Sequence, residues 1–435
     1  MVEITAGSES GIHDPVAEAP NPWLFWRYLG GSTVSNAGDA VTSVAVPLLA
    51  VLTLHASAFA VSLLTAATFG AWTLIGLPAG AIVSRLPLRA TQIAMDLIRA
   101  AAIGSIPVAV GFGVLGMPQL YAVVFVVALA SVVFTVANST FLPALVSPDE
   151  LLRRNRITST SESATTLGGP ALGGVLVGLI GAGATVIVDA ASYLVSALTI
   201  RSLPKVEIGT PGRPALPARA MIAAGVRQVV TDKVIGPCVA AAVLLGLASG
   251  SAGSLLAVYL VRVLHASAGL VGAVFAGDGV GVLIGAALLG WFARRFGTAR
   301  AAIWATAAGA VCFAAVPAAT GGAGLALVAF GMAGYGAGVT IFSILTRTHR
   351  QTVVPLEELP RVTATVRFLS WGAAPIGAVA VGAGSLAVGV RPMLFVSLLF
   401  AAAAPLVLWA SPVRRLRDLD ETDAGPEEGR SSSAG

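Results

Sequence analysis

Long apolar runs, separated by short breaks that contain charged residues, glycine or proline, make up most of the chain. They fall in the segments 27–85, 99–149, 162–201, 234–261, 268–293, 300–345, 362–390 and 393–410. A helix needs about 20 apolar residues to cross the hydrocarbon core of a bilayer, so four of these segments are long enough for two helices. Each of the four is interrupted near its middle, close to residues 55, 117, 182 and 321. The pattern predicts an all-α integral membrane fold with twelve membrane-spanning helices, here called spans 1 to 12.

A polar segment at 201–233 separates span 6 from span 7. It contains four prolines, Pro204, Pro211, Pro214 and Pro217. Because prolines between apolar runs are typical of loops, we predict a cytoplasmic linker that joins two six-helix bundles, 27–200 and 234–411. The chain ends, 1–26 and 412–435, are polar and are predicted to be cytoplasmic tails.

The two predicted bundles carry related sequence. The tetrapeptide Leu-His-Ala-Ser follows span 1 at 54–57 and span 7 at 264–267, an offset of 210 residues. Arg85, after span 2, recurs at the same offset as Arg295, after span 8. Six spans separate the copies, so corresponding loops lie on the same face of the membrane. This pattern indicates two pseudo-symmetric bundles related by an axis along the membrane normal, with a cleft between them suited to alternating access.

The composition excludes several classes of protein. Hydrophobic residues make up 56% of the chain and charged residues 11%, whereas about 25% of the residues of a soluble domain are charged. The net charge of +5 comes from short basic groups between apolar runs, which is not typical of a nucleic-acid-binding surface. Cys238 and Cys312 lie inside apolar runs, and the histidines are expected in the N-terminal tail and loops. No phosphate-binding loop, catalytic cluster or metal-ligand spacing is present, so we expect no cofactor, no metal and no enzyme activity.

The basic residues predict the orientation. Most arginines and both lysines fall at alternate ends of the spans or in the central linker, and only Arg262 and Arg391 fall at the other ends. Cytoplasmic loops of membrane proteins are enriched in Lys and Arg. We therefore expect the basic side and both termini to be cytoplasmic.

Four short motifs carry a family resemblance. Span 1 contains Ser-Asn-Ala-Gly-Asp at 35–39, a basic loop at 80–89 follows span 2, and span 3 contains Asp-Leu-Ile-Arg-Ala at 96–100. Span 5 contains Gly-Gly-Pro-Ala-Leu-Gly-Gly at 168–174. These motifs resemble the Gly-Asp turn, the Gly-x-x-x-Asp-Arg loop, the acidic–basic pair and the Gly-Pro signature of the major facilitator superfamily. Within it, they resemble the drug and siderophore exporters, a branch that includes macrolide and enterobactin exporters. The resemblance covers nearly the whole chain.

The resemblance implies a cytoplasmic gate that contains Arg85, Arg89, Asp96 and Arg99. Ser84 stands where the loop of the family has Asp, so the usual acid–base latch cannot form from that position. Asp96 either replaces the missing acid by pairing with Arg85 or Arg99, or the gate is looser. A charged pair at this end of span 3 also has a purely structural interpretation, in which it fixes helix packing.

The Gly-Pro motif of span 5 has a backbone mechanism. Pro170 removes a helix hydrogen bond and bends the helix, and Gly169, Gly173 and Gly174 permit close approach of a neighbour. We expect span 5 to pack against its counterpart in the second bundle and to seal the cleft against proton leakage. The alternative is the ordinary glycine packing of any Gly-rich bundle.

Two acids inside the spans are the candidates for proton coupling. A carboxylate near the middle of a bilayer costs about 2.5 kcal/mol or more, and such residues are functional candidates by default. Asp39 of span 1 is either a proton carrier or cation contact, or a structural acid capped by Asn36 or a neighbouring hydroxyl. Asp278 of span 8 either has a coupling or substrate role or makes a polar contact with Ser249 or Ser251. Proton coupling is thus assigned first to Asp39 and second to Asp278.

By analogy with the family, spans 1, 4, 7 and 10 line the cleft. Their aromatic, methionine and hydroxyl side chains suit a bulky, mostly apolar ligand, although each is also a possible packing residue. The candidates are Asn36, Ser43, Tyr121, Phe125, Phe134, Asn138, Ser251, Tyr259, Met332, Tyr335, Thr340 and Ser343. The central parts of these spans hold no Lys or Arg, which argues against an anionic substrate. Asp189, near the external end of span 6, is expected to be a packing residue.

These observations predict a secondary transporter in a bacterial cytoplasmic membrane. It would export an amphiphilic small molecule, such as an antibiotic, drug or siderophore, in exchange for protons. Its partners would be this substrate, protons and membrane lipid, with no nucleic acid, and we expect a monomer. Two alternatives are an importer or uniporter of a small metabolite on the same fold and a membrane sensor that does not transport.

Overall fold

The computed structural model describes residues 22–76, 78–83, 86–141, 148–204, 227, 229, 231–321, 324–355 and 358–421. Within these ranges the chain is helical and contains no β-strand. The helices of the first bundle are α1 (Pro22–Leu52), α2 (Ala58–Ile75), α3 (Leu88–Gly111), α4 (Met117–Phe141), α5 (Pro148–Ile180) and α6 (Ala182–Arg201). Those of the second are α7 (Ile235–Val258), α8 (Ala268–Phe296), α9 (Thr298–Phe313), α10 (Gly324–Val353), α11 (Leu359–Val388) and α12 (Val390–Ala410). Twelve helical segments are long and apolar enough to cross a membrane, the ninth of them continuing from α9 through Ala318, which confirms the predicted spans.

The repeated tetrapeptides form the same turn in both bundles. His55 and His265 have φ angles of 49° and 52°, in the left-handed region that non-glycine residues rarely adopt. In each copy the amide of the preceding leucine, Leu54 or Leu264, donates to a carbonyl five residues earlier, at 3.3 and 3.1 Å. The sequence repeat is therefore a structural repeat.

Helix pairing also repeats between the two bundles. Helix α1 packs on α5 and α6, and α3 packs on α4 and α6. In the second bundle α7 packs on α11 and α12, and α9 packs on α10 and α12. Contacts between the bundles follow the same symmetry, because α5 packs on α8 and α2 packs on α11. The fold is thus two pseudo-symmetric six-helix bundles, as predicted.

The two membrane faces of the molecule differ in how closely the bundles approach. We call the face at which α1, α3 and α5 begin the basic face, and the face with the His55 and His265 turns the opposite face. Near the opposite face, Gly174 of α5 lies directly against Gly272 of α8. The Arg262 guanidinium of the second bundle donates to the Ala56 carbonyl of the first, at 2.6 Å. These contacts close the opposite face.

The predicted cross-bundle partner of span 5 was its repeat counterpart, span 11. The helix that contacts α5 across the bundles is instead α8, whereas α11 packs on α2 and α7. The pseudo-two-fold axis explains the difference, since it exchanges the α5–α8 contact with the α11–α2 contact. A pair of equivalent helices would contact each other only on the axis itself.

The ends of the bundles differ in detail from the predicted boundaries. Helix α1 begins at Pro22, inside the predicted tail. After α12 the chain does not leave the bundle at once, because Val413 and Leu419 are buried and the amide of Thr298 donates to Asp418 at 2.8 Å. The sequence offers no apolar run here, so this docking depends on capping and isolated buried side chains. Residues 1–21 and 422–435 and most of the linker lie outside the described residues.

One histidine was misplaced by the sequence interpretation. His349 was expected in a loop, but it lies in the last turn of α10 and is buried. Its Nδ1 lies 2.7 Å from a carboxylate oxygen of Asp420. The helix continues beyond the apolar run because its final turns project from the bundle at the basic face, where polar side chains meet the docked C-terminal segment.

Candidate functional site

A cluster of charged side chains lies inside the first bundle, around Arg99 of α3. The guanidinium is 2% exposed; it forms an ion pair with Asp39 of α1 at 3.7 Å and hydrogen-bonds the Asp96 carboxylate one turn earlier on α3. It also lies over the rings of Phe134 and Tyr193, 4.2 and 4.3 Å from their centroids. Two carboxylates and two aromatic faces thus hold one buried cation, which is how a protein makes such burial tolerable.

Helix α6 contributes a third acid and a tyrosine to this cluster. The Tyr193 hydroxyl donates to Asp39. Asp189, one turn earlier, is fully buried and accepts a hydrogen bond from Ser192 at 3.2 Å. Gly38 is required beside them, because a Cβ there would collide with Asp189 and Ser192.

The sequence interpretation placed Asp189 near the external end of span 6, away from any site. The structure places it beside Asp39, so it belongs to the cluster. Asp189 and Tyr193 are four residues apart, the spacing that puts two side chains on one helix face. This spacing was readable in the sequence, but nothing in the sequence indicated that the face meets Asp39.

Asp39 is the accessible member of the cluster. Of its side chain 40% is exposed, whereas Asp96 is fully buried. Helix α1 contacts α2, α5 and α6 of its own bundle and α7 and α8 of the other. Helix α1 thus has neighbours in both bundles, and Asn36, Asp39 and Ser43 are among its accessible polar side chains.

Next to Asp39, α1 rests on the Gly-Pro motif of α5. A Cβ on Gly169 would collide with Ala40, and one on Gly173 would lie 2.8 Å from the Val41 carbonyl oxygen. On the same helix, Gly174 forms the close contact with the second bundle. The motif therefore connects the charged cluster with the closed face through direct backbone packing.

The other predicted gating residues have different surroundings. Arg89 donates to the carbonyl of Arg201 at the end of α6, a contact inside the first bundle. Arg85 and Ser84 lie outside the described residues. Asp96 pairs with Arg99, one of the two partners that the sequence left open.

Asp278, the second coupling candidate, has a plainer environment. Its carboxylate lies against Gly336 of α10, where a Cβ would be 2.7 Å from the carboxylate oxygen. The expected contact with α7 hydroxyls is not formed within the described chain, because Ser249 bonds Tyr335 at 3.0 Å and Ser251 has no hydrogen-bond partner there. Asp278 has no basic partner comparable to Arg99 among the described residues.

The predicted cavity residues differ in how far they are buried in this conformation. The hydroxyl of Tyr259 donates to the Ala319 carbonyl at 2.7 Å, and that of Tyr121 donates to the Ala60 carbonyl at 3.1 Å. The more buried candidates are Phe134, Ser251, Tyr259, Met332 and Tyr335, and the partly buried ones are Asn36, Tyr121, Phe125, Asn138 and Thr340. Ser43 and Ser343 are exposed. In this conformation the hydroxyls of Tyr121 and Tyr259 are occupied by backbone carbonyls.

Two of the cavities near the basic face are lined by helices of both bundles. One, of about 420 Å³, lies between α2, α4 and α11, and the other, of about 380 Å³, lies between α2, α7, α10 and α11. They share Thr363, Arg367 and Trp371 as lining residues. Ser343 is the predicted cavity residue that lines one of them. Since the opposite face is closed and these cavities lie toward the basic face, the cleft opens toward the basic face.

The sequence interpretation missed Arg367. It lies inside span 11, where a charge is expensive and signals function, so the signal was present. The family resemblance assigns spans 1, 4, 7 and 10 to the cleft, so an arginine on span 11 lay outside the predicted lining.

Comparisons with known proteins agree with this architecture. The family profile described as Major Facilitator Superfamily matches residues 28–378. A bacterial homologue of the iron transporter ferroportin in an inward-facing state superposes with a TM-score of 0.72 at 18% identity, covering 89% of this chain and 98% of that one.

Two other transporters are similarly close in fold. The nucleoside transporter NupG, as a D323A mutant, gives a TM-score of 0.73 at 11% identity over 89% of this chain and 99% of its own. A bacterial homologue of the human lysosomal transporter Spinster, inward-facing and unoccupied, gives 0.70 at 14% identity over 90% and 96%. No curated protein sequence matches the chain. At these identities the likeness extends to the fold and not to a substrate.

Proposed function

Because the chain belongs to the major facilitator superfamily and has its transporter fold, we propose that it exports an amphiphilic small molecule by proton antiport through alternating access. The proposal places it in a bacterial cytoplasmic membrane with the basic face toward the cytoplasm. The concentration of arginine at that face supports this orientation. The cleft would then be open to the cytoplasm and closed to the outside.

The observation that carries proton coupling is the sharing of Arg99 between an accessible acid, Asp39, and a fully buried acid, Asp96. With Asp189, the cluster holds three carboxylates and one guanidinium. One oxygen of Asp96 and one of Asp189 are buried without a hydrogen-bond partner among the described residues. Burying unpaired negative charge is costly, so the cluster favours at least one bound proton. Asp39 is the carboxylate that a proton reaches from the cleft.

A change in the charge of Asp39 would reach the second bundle through helix packing. A neutral Asp39 loses its attraction to Arg99, which then pairs with Asp96 alone. The adjoining residues of α1, Ala40 and Val41, rest on Gly169 and Gly173 of α5, and Gly174 holds the contact with α8. In the proposed cycle, a proton that arrives from outside on Asp39 favours the cytoplasm-open state, and substrate that binds from the cytoplasm favours release of that proton.

The test uses everted vesicles with an acidic interior, whose pH gradient is followed by dye fluorescence. Lipophilic cations, macrolides, siderophores and aromatic carboxylates are added one at a time. We expect a compound that discharges the gradient with the wild type and with Asp278→Asn but not with Asp39→Asn. Asp278→Asn is the matched control, since it removes a membrane-embedded acid that lacks an arginine partner.

Three further measurements test this interpretation. Exchange of labelled substrate without a gradient should persist in Asp39→Asn, because exchange needs binding and alternating access but no net proton movement. Export that continues unchanged after the proton gradient is collapsed would contradict proton antiport. Uptake of a metabolite down its gradient, without proton movement, would favour the importer or uniporter instead.

A further inference from the structure

The wall of the cleft in the second bundle is basic. Arg347 and Arg350 of α10 line the cavity of about 380 Å³, and Arg367 of α11 lines both cavities. Arg347 and Arg367 are exposed, and Arg350 is half-buried. No Asp or Glu is among the described residues that line either cavity.

Among the described residues, none of these three arginines forms an ion pair with a carboxylate, so their charge is not compensated there. The usual enrichment of arginine at a cytoplasmic face explains their presence there, but it does not explain why they point into a cleft. A concave site lined by one sign of charge and walled by low-dielectric helices concentrates ligands of the opposite sign.

The same cleft presents aromatic rings. Trp371 of α11 lies 5.3 Å from Trp72 and 6.4 Å from Phe69, both on α2, measured between ring centroids. Trp371 is 46% exposed, so its ring is not covered by this edge-on packing. Phe368 and Phe342 add further apolar lining. Flat rings beside guanidinium groups suit a ligand with an apolar ring system and an acidic group.

Asp39 does not oppose this assignment. Its charge is already engaged by Arg99 and by the Tyr193 hydroxyl, and the other two acids of the cluster, Asp96 and Asp189, are fully buried. An organic cation would have to approach three arginines that form no ion pair within the described residues. The expectation against anions drew only on the central parts of spans 1, 4, 7 and 10, whereas these arginines lie at the end of α10 and on α11.

We infer that the cleft binds an amphiphilic anion, with its carboxylate, sulfonate or phosphate on Arg367 and Arg347 and its ring system against Trp371. Guanidinium groups bind such oxyanions through paired hydrogen bonds. This inference rests on the proposed function for the view that the bound molecule is transported. The same chemistry is offered by the headgroup of an anionic phospholipid, and the experiment separates the two sources.

The experiment measures equilibrium binding to the full chain in phosphatidylcholine nanodiscs. The probes are anilinonaphthalene sulfonate and phenylnaphthylamine, which is the same ring system without the sulfonate. We expect tighter binding of the sulfonate, and an increase of about tenfold in its Kd for Arg367→Gln, with no change for the neutral amine. Arg295→Gln removes a basic-face arginine that lines neither cavity and should leave both Kd values unchanged.

Three outcomes would overturn the inference. The first is equal binding of the two probes to the wild type, and the second is a wild-type Kd for the sulfonate in Arg367→Gln. The third is a loss of sulfonate binding when phosphatidylglycerol replaces part of the phosphatidylcholine, which would assign the site to lipid headgroups. Failure here leaves the proton-antiport test untouched, because that test scores discharge of a pH gradient by any compound. The two proposals therefore fail separately.

Discussion

The middle of α1 and the middle of α7 are equivalent positions of the repeat, but they are built differently. At the offset of 210 residues, Ser249 corresponds to Asp39. Each is hydrogen-bonded by a tyrosine, Tyr193 from α6 for Asp39 and Tyr335 from α10 for Ser249. The same site on the scaffold therefore carries a charged acid in one bundle and a neutral hydroxyl in the other.

The cation of the cluster shows the same asymmetry. Arg99 corresponds to Gly309, which packs closely on Gly338 and Tyr335. Asp96 corresponds to Thr306, whose hydroxyl bonds its own helix at 2.9 Å. The first bundle holds the buried charges, and the second holds close helix packing and the basic cleft wall. Under the two proposals above, proton chemistry would lie in the first bundle and substrate contact at the basic wall of the second.

Among the variants considered, removal of Arg99 should have the largest effect on the stability of the first bundle. Arg99→Gln leaves three carboxylates in the first bundle without their cation, and we expect a loss of about 3–5 kcal/mol in the free energy of unfolding. Denaturant unfolding in detergent measures it. Arg153→Gln, which removes one exposed arginine from the Glu150 ion pair, is the control and should show no measurable change.

A second variant separates charge balance from packing. In Asp96→Asn/Arg99→Gln one negative charge is removed with the positive one, so part of the lost stability should return. A double variant no more stable than Arg99→Gln would mean that Arg99 acts through its packing against Phe134 and Tyr193. The balance of buried charges would then not explain the stability that Arg99 provides.

Unlike the buried charges, the contact between α5 and α8 should depend equally on both bundles. Gly174→Leu and Gly272→Leu both place a side chain where backbone now lies, and a Cβ on Gly174 would be 2.8 Å from the Ala268 carbonyl oxygen. Overpacking costs about 1–3 kcal/mol, so each should shift the conformational equilibrium about 5- to 150-fold toward opening of the opposite face. Gly178→Leu is the control, since a Cβ on Gly178 would lie 4.0 Å from its nearest neighbour, the Gly269 amide nitrogen.

The measurement is labelling of Ser43→Cys by a membrane-impermeant maleimide added from either side, in a background without Cys238 and Cys312. Labelling from the side of the opposite face should rise in both leucine variants and not in the control. If Gly174→Leu and Gly272→Leu differ widely, the seal depends on one bundle, and the symmetric view of this contact is wrong.

The smallest effect is expected at the basic face of the first bundle. Glu150 accepts hydrogen bonds from Arg153 at 2.6 Å and Arg154 at 3.1 Å, and Arg154 lies over the ring of Phe25 at 4.4 Å. Hydrogen bonds from Arg154 and Arg153 hold the pKa of Glu150 below its usual value. A lowered pKa in the folded state stabilises the protein above the unfolded pKa and is lost as pH falls through the folded pKa.

Glu150→Gln should therefore lower the melting temperature slightly at pH 7, and the difference from the wild type should vanish below about pH 4. Melting curves across this pH range test it. His349→Gln, at the basic face of the second bundle, removes the partner of Asp420 and gives the comparison between the halves. A Glu150→Gln difference that persists at low pH would assign the effect to packing around Phe25.

Hydropathy alone determined the twelve helices, and the repeated Leu-His-Ala-Ser motif determined the pseudo-symmetry. These features follow from local rules, since every span must be apolar and helical in lipid whatever its neighbours are. Asp39 was also found from sequence, because a charge inside an apolar run is conspicuous. The tail boundaries were less accurate, since docking of Leu419 leaves no local pattern.

Only the tertiary structure decided which side chains share a site. In it, Asp189 and Tyr193 of α6 lie beside Asp39, and α5 contacts α8. Arg347 and Arg367 line the cavities of the cleft. The tertiary structure also showed that the hydroxyls of Tyr259 and Tyr121 donate to backbone carbonyls. The physical reason is that hydropathy fixes only whether a residue is in the membrane. The direction in which its side chain points depends on packing between helices that are distant in sequence.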